Sequence, residues 1–585
     1  MRLVVIGKPG TGKTSNGLKR IVQLSKENNS DRVCAISFSK ATKQAIEAKL
    51  QDLDPDFKDC FTVKTLHSII GSKLFSRERP KYGGNRKLYM NGYERSLFMK
   101  KNNGLNLSRG DVASKDDDLK TDGDIVFQHY NTFINIYPLL VGGNMFNVRP
   151  GIMTIFYENL KRMVSQYIDT YVSILSNDIK RVTKILRKHL LIFVSAWIKE
   201  QFDQHTYDYT GMLLKALDLG LMEAYPILWI DEAQDLSPLQ IAILCPFIKN
   251  STHVLITGDP DQSIYTFQGV LFPYLFSHDS YSELNLSNNH NFTDSYRVPQ
   301  CICDEANNLI SKNYIYDDSN FVTVTANNAT SGIIKKVDCS YLSENQFRRN
   351  VFILSRLNAY CKGIAQYLTK KNVPFGWIKQ DENTGWSNAF NNPLTVADMQ
   401  TYLLFIQFKE RLEKIGNLWK FDDAVFDSSI DRQTTEMLQC LSLEKIEADR
   451  RFNIINLWRE HPELAQAIVN SDFSKLSIDK TRLDELRPLY SSGEWETPKI
   501  QLGTLHSSKG LETYTVIIDP RITNDIHKEL RRSPFSDKAM AERRVWYTGI
   551  TRATNNLYIL DPAALRKKRR QHLHPEIFRI KPTMP

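Results

Sequence analysis

Eight consecutive residues, Gly7-Lys8-Pro9-Gly10-Thr11-Gly12-Lys13-Thr14, have the types and spacing of a loop that wraps phosphate. Glycines at these positions let backbone N–H groups turn inward, and a helix starting at the loop's end adds positive potential. The apolar run Leu3-Val4-Val5-Ile6 predicts a buried strand just before the loop, which is the context this chemistry needs. Lys13 supplies a point charge for β- and γ-phosphate oxygens, and the Thr14 hydroxyl is a ligand for Mg²⁺. Gly7, Gly10, Gly12 and Ser15 complete the expected nucleotide-binding set. A glycine-rich turn with no nucleotide is the plain alternative, and the strand before it and helix after it argue against that.

A nucleotide-hydrolysing site also needs an acidic residue at the end of a strand. Ile227-Leu228-Trp229-Ile230 runs into Asp231-Glu232-Ala233-Gln234-Asp235. Asp231 suits Mg²⁺, and Glu232 is then placed to orient and deprotonate the attacking water. A third strand, His253–Thr257, leads into Gly258-Asp259-Pro260-Asp261-Gln262-Ser263-Ile264-Tyr265. Gln262 has the chemistry to touch both a γ-phosphate and a water, although spacing alone reads equally well as a surface turn.

With these segments the chain resembles the superfamily 1 helicases of the UvrD/Rep/PcrA type. Further segments follow in the family's order. Ser37-Phe38-Ser39-Lys40-Ala41, Thr65-Leu66-His67-Ser68 and Tyr207-Asp208-Tyr209 resemble motifs of the first half. Ser295-Tyr296-Arg297 and Leu354-Ser355-Arg356-Leu357-Asn358 resemble motifs IV and IVa. Gly503-Thr504-Leu505-His506-Ser507-Ser508-Lys509-Gly510-Leu511-Glu512 resembles motif V. Glu542-Arg543-Arg544 with Tyr547-Thr548-Gly549-Ile550-Thr551-Arg552-Ala553 resembles motif VI. The resemblance implies ATP and Mg²⁺ as cofactors, and Arg297 and Arg552 reaching the γ-phosphate from a second domain. It also implies Tyr296 stacked on adenine and Glu512 bonded to the ribose. Positive charge supplied across a closing cleft is worth about 10³–10⁵ in rate for arginine fingers generally.

The resemblance implies single-stranded DNA and single-strand/duplex junctions as partners, with Phe38, Thr65, His67, Tyr265, Phe267, Arg356, Thr504 and His506 in contact with DNA. Stacking on such aromatics is worth ~1–3 kcal/mol per base and tolerates any base. Phe267 stands where relatives usually carry Trp, and Gln268 where they usually carry Arg. Only six residues precede Gly7, so a family segment bearing an adenine-reading Gln is expected to be missing, with looser nucleotide choice as the consequence.

The elements that must position these groups alternate between strand and helix, which predicts an α/β chain with parallel sheets. The expected fold is two RecA-like parallel-sheet P-loop domains, each with a mainly helical inserted subdomain. The first domain is expected over 1–75 and 205–270, with a helical insertion at 76–204. The second is expected over 271–390 and 495–585, with a reduced helical insertion at 391–494. A long helical pattern is predicted from Ile152 to Phe202. The acidic triplet Asp116–Asp118 reads as a solvated loop, and the basic run Arg566–Arg570 as a solvated segment able to touch phosphate. A chain of 585 residues fits several domains of about 150 residues each.

An excess of 76 Lys and Arg over 66 Asp and Glu, a net +10, is compatible with a polyanion partner. None of the eight cysteines forms a C-x-x-C pair, so a zinc or iron–sulfur site is not expected. The most apolar stretch, Leu190–Ile198, falls well short of the ~18–20 residues of a membrane span. The expectation is therefore a cytoplasmic protein. A monomer with replication or repair proteins as further partners is also expected, and compactness with the missing N-terminal segment points to a phage or plasmid origin. The leading function is an ATP-dependent DNA helicase, moving 3′ to 5′ as the resemblance implies. The rival, suggested by the short second insertion, is a DNA-stimulated ATPase that displaces protein without unwinding. Lys13→Ala is expected to abolish nucleotide turnover in a phosphate-release assay; normal turnover would remove the phosphate assignment.

Overall fold

The computed structural model describes residues 1–378 and 499–582 apart from 31, 38–39, 55–56, 58–59, 83–91, 108–120, 143, 176–177, 271, 315–320, 328–331, 345–346, 372, 374 and 566–571, and adds 466, 469 and 470. Phe38, the Asp116–Asp118 loop, the basic run at 566–570 and nearly all of the insertion at 391–494 lie outside the described residues.

Two six-stranded sheets of parallel strands organise the chain. The first contains β1 (Arg2–Gly7), β2 (Val33–Ser37), β3 (Phe61–Thr65), β4 (Ile227–Ile230), β5 (His253–Gly258) and β6 (Ser287–Phe292), in the order β3-β2-β4-β5-β1-β6. Two short strands, β7 (Asp294–Ser295) and β8 (Thr325–Ala326), pair with each other and lead into the second half. The second sheet contains β9 (Ile333–Asp338), β10 (Val351–Ser355), β11 (Phe375–Trp377), β12 (Ile500–Thr504), β13 (Thr513–Ile518) and β15 (Ala553–Asp561), in the order β11-β12-β10-β13-β15-β9. A second short pair joins β14 (Arg521–Ile522) to β16 (His572–Leu573). Strand β6 pairs with β1, so the first sheet runs to Phe292, past the boundary expected at residue 270.

Alternate residues of the first sheet face two different cores, as a period of two requires. Val4, Cys34, Ile36, Leu228 and Ile230 join the inserted helices in one cluster, while Val5, Val33, Ala35, Ile227 and Trp229 join Leu18 and Ile21 in another. Both faces are covered, which is why these strands read as unbroken apolar runs. The helical pattern expected from Ile152 to Phe202 is two helices, Ile152–Leu175 and Ile179–Gln204. Asp178 starts the second by accepting the Arg181 N–H, a capping geometry that helical periodicity alone does not reveal. No described helix is long and apolar enough to cross a membrane.

The register places the functional segments on one edge. Ser37 lies beside Thr65, Ile36 beside Ile230, Ile230 beside Ile256, and Ile6 beside Gly258. The carboxyl ends of these strands therefore line a common crevice, where ligands bind in open parallel sheets. Trp229 connects the core to that edge. Its ring is fully buried against Gly17, where an added Cβ would come within 2.8 Å of the ring, and its Nε1 donates to Thr257 Oγ1 at 2.9 Å. Trp229→Ala is expected to cost roughly 3–5 kcal/mol in a denaturant melt followed by circular dichroism. A loss under about 1 kcal/mol would refute the packing role.

Candidate functional site

The phosphate loop is shaped by its own side chains. Gly10 and Gly12 have φ of 74° and 77°, in the left-handed region that glycine adopts without strain. Lys13 folds back over Gly7, where an added Cβ would fall 2.1 Å from Lys13 Cγ. The Lys13 ammonium donates to the Lys8 carbonyl at 3.4 Å, a long contact that leaves it poised for a stronger acceptor. Burial pulls its pKa below the ordinary lysine value, against the pull of Glu232, Asp259 and Asp231.

The acidic pair sits opposite. Asp231 accepts from Thr14 Oγ1 at 3.0 Å and from Thr257 Oγ1 at 2.6 Å, so the Trp229–Thr257 contact orients this carboxylate from below. Burial and the neighbouring Glu232 push the Asp231 carboxyl up. Burial pushes Glu232 up too, but Lys13, Lys509, the Gln234 hydrogen bond and Arg552 outweigh it and hold Glu232 below the usual range. The surrounding cations thus favour the ionised form of Glu232, the form that general-base chemistry needs. Its backbone is left-handed at φ 55°, a conformation that costs a non-glycine residue about 1–2 kcal/mol. Gln234 Nε2 holds the Glu232 carboxylate at 2.5 Å, and its Oε1 accepts the Asp259 N–H at 3.1 Å.

Both expected arginines come from the second half and meet the first. Ser295 Oγ donates to the Pro9 carbonyl at 2.8 Å, and the Tyr296 N–H to the Gly10 carbonyl at 3.0 Å. Arg297 packs against Gly10, where an added Cβ would come within 2.7 Å of Arg297 Cβ. Its guanidinium donates to Glu512 at 2.8 Å and to the Thr551 carbonyl at 3.2 Å, while its Nε is buried without a partner among the described residues. Arg552 Nη2 donates to Gln262 Oε1 at 2.9 Å, and Gln262 Nε2 donates to Asp259 Oδ2 at 2.7 Å. Burial and Arg297 lower the Arg552 pKa to about 9, which leaves it a cation at neutral pH.

Tyr296 is 65% exposed beside the loop, Glu512 is tied to Arg297, and Ser15 Oγ accepts from Lys49 at 3.0 Å.

The DNA-contact candidates divide between the two sheets. Thr65-Leu66-His67-Ser68 follows β3 and Thr504-Leu505-His506-Ser507 follows β12, four identical residue types in the same local geometry. Thr65 Oγ1 accepts the Ser68 N–H at 3.3 Å, and Thr504 Oγ1 accepts the Ser507 N–H at 3.1 Å. In both turns the serine hydroxyl donates back to the threonine carbonyl at 2.8 Å. Burial lowers His67 to about 4 and His506 to about 3, so both are neutral near pH 7 and are not phosphate-binding cations. His67 meets the 68%-exposed Tyr209 edge to face at 5.5 Å. Arg356 Nε donates to both Glu542 oxygens at 2.9 and 3.0 Å. Arg356, His506 and Thr266 border a cavity of about 160 Å³. Tyr265 lies under the Lys509 ammonium at 5.2 Å, and the Phe267 side chain is outside what the structure describes.

Sequence reading missed Lys509, Asp235, Ser295 and Thr257. Lys509 crosses the cleft to donate to Asp235 Oδ1 at 2.6 Å and to the Gln262 carbonyl at 2.7 Å. Lys509 and Asp235 both stand inside recognisable motifs, but partners 274 positions apart leave no trace in local spacing.

The UvrD/REP helicase N-terminal domain model matches residues 1–280, and the UvrD-like helicase C-terminal domain model matches 417–561. A probable DNA helicase II homolog of Mycoplasma capricolum subsp. capricolum is 22% identical over 651 aligned residues, spanning 95% of this chain and 81% of that protein. A second, from Mycoplasma genitalium, is 20% identical over 95% of this chain and 82% of its own length. The ATP-dependent DNA helicase Rep of Buchnera aphidicola subsp. Acyrthosiphon pisum is 22% identical over 62% of this chain and 69% of its own length. With both family domains matched in order, Arg297 packed on the phosphate loop and Arg552 bonded to the turn that carries Gln262, the chain belongs to the UvrD-type superfamily 1 ATP-dependent DNA helicases.

Proposed function

We propose that this helicase hydrolyses Mg²⁺-bound ATP while moving 3′ to 5′ along single-stranded DNA, and that it separates strands where single strand meets duplex. The observation that carries the reading is the bond from Arg552 to Gln262, which joins a cation of one half to the turn beside the phosphate loop of the other. A triphosphate on that loop would meet Lys13 from below and Arg297 and Arg552 from across the cleft. Such preorganised charge stabilises the phosphoryl-transfer transition state only while the cleft is closed. Glu232 takes the proton of the attacking water, and Gln262 reports an intact γ-phosphate to Arg552.

The residues fit Mg²⁺. Thr14 Oγ1 and the Asp231 carboxylate already lie within 3.0 Å of each other, as two oxygen ligands of one hard cation would. When bound, the ion neutralises charge on the β- and γ-oxygens. DNA would run over the paired Thr-Leu-His-Ser turns, with Tyr265 and Phe267 offered as stacking faces. The reading brings with it a monomeric, cytoplasmic enzyme with replication or repair proteins as partners.

Glu232→Gln is expected to bind a fluorescent ATP analogue normally and to hydrolyse ATP about 10²–10⁴-fold more slowly; rapid hydrolysis removes Glu232 as the base. Oligo-dT is expected to raise the ATPase rate, with less effect at high salt because phosphate contacts release counterions. Absence of stimulation at every salt concentration would sink the motor. Duplexes with 3′ tails are expected to be unwound and blunt or 5′-tailed ones spared. Stimulated ATPase without strand separation on any of them would favour the protein-displacing alternative.

A further inference from the structure

We infer that Lys8, at the first variable position of the phosphate loop, is a positioning residue that ties this loop to the Asp259–Gln262 turn and, through it, to the second half. The inference rests on the ATPase reading above and adds a residue to which that reading gives no role. A lysine side chain is normally solvated, yet this one is only 3% exposed. Its ammonium is paired with Asp261, lies 3.7 Å from Asp259, and sits 5.9 Å from the centre of the Tyr547 ring.

Two lines leave Lys8 for the second half. Asp261 gives one carboxylate oxygen to Lys8 and accepts the Tyr314 hydroxyl on the other at 2.7 Å. Asp259 accepts Gln262 Nε2 at 2.7 Å, and Gln262 accepts Arg552 at 2.9 Å. On the loop side, the Lys8 carbonyl receives the Thr11 hydroxyl at 2.8 Å and the Lys13 ammonium at 3.4 Å. One residue therefore touches the group that holds phosphate, the turn that carries Gln262 and the acceptor of a second-half tyrosine.

Turning Lys8 toward a nucleotide would strand two carboxylates that are 0% and 1% exposed, which burial makes costly. Lys8 is thus a strut between loop and turn and not a phosphate ligand. Movement of Tyr314 with the second half is passed through Asp261 and Lys8 to the loop that holds Lys13, while Arg552 acts on Gln262 of the same turn.

The test compares Lys8→Met and Tyr314→Phe with the unaltered full chain. The readouts are affinity for a fluorescent ATP analogue, kcat and KM with and without oligo-dT, and melting temperature. Lys8→Met is expected to keep nucleotide affinity within about threefold while DNA-stimulated kcat falls about tenfold or more. Tyr314→Phe leaves the ion pair intact, so it carries the test if Lys8→Met does not fold. It is expected to lower the DNA stimulation about threefold at an unchanged melting temperature and KM. Nucleotide affinity weakened about tenfold with kcat preserved would make Lys8 a nucleotide ligand and overturn the inference. So would an unchanged kcat and DNA stimulation in both variants. An unaltered chain with no ATPase activity would instead overturn the reading beneath it.

Discussion

Gln262 is held on two sides by groups that belong to different bodies: Asp259 of its own turn, and Arg552 from the last motif of the chain. A side-chain amide has one acceptor and two donors in fixed geometry, so it can satisfy both partners only when the halves stand at one particular separation. Most of the surrounding arrangement follows from this constraint. Ser295 and Tyr296 clamp the backbone of the loop at Pro9 and Gly10, and Lys509 reaches the carbonyl of Gln262 itself. The cleft is thus closed by several directional bonds of modest net worth, about 0.5–1.5 kcal/mol each for neutral pairs. Such an interface can open and shut without unfolding either sheet.

The same crevice concentrates charge. Lys8, Lys13, Arg297, Lys509 and Arg552 face Asp231, Glu232, Asp235, Asp259 and Asp261, several of them almost wholly out of solvent. Burial would drive such groups toward neutrality were they isolated, and Asp235 rises to about 7 even beside Lys509. The network persists because nearly every acceptor has a donor in place, down to the Trp229 indole that supports Thr257 beneath Asp231. Arg297 Nε is an exception, buried next to the glycine it packs against with no partner among the described residues. A buried donor without a partner is one that an anion in the cleft would satisfy.

Much of this was legible in the chain itself. Parallel strands announced themselves as apolar runs ending in polar turns, because both faces of each sheet are covered. The loop at Gly7–Thr14 and the Asp231-Glu232 pair were readable because their chemistry is confined to short spacings. Illegible were the features that depend on distant packing. The helical stretch from Ile152 breaks at Asp178, where a cap competes with continuation. The first sheet recruits β6 beyond the expected boundary, since strand pairing and not composition decides where a domain stops. Arg356 was expected on DNA, and its Nε is occupied by Glu542, 186 positions away. Lys8 and Lys509 carried no signal of their own, because a lysine in a motif looks the same whether it faces water or a buried carboxylate.

The matching Thr-Leu-His-Ser corners have a consequence for how such a machine measures distance. One strand of each sheet runs into the same Thr-Leu-His-Ser sequence, with threonine and serine already engaged with the backbone and a histidine that carries no charge near pH 7. A nucleotide chain laid across both would meet the same threonine, histidine and serine types at two points. The surroundings of the two corners differ, Tyr209 lying against His67 and Arg356 bordering the same cavity as His506, and the nucleotide cleft stands between the two sheets. Stride length would be set by how far that cleft opens, and direction by which foot is loosened first.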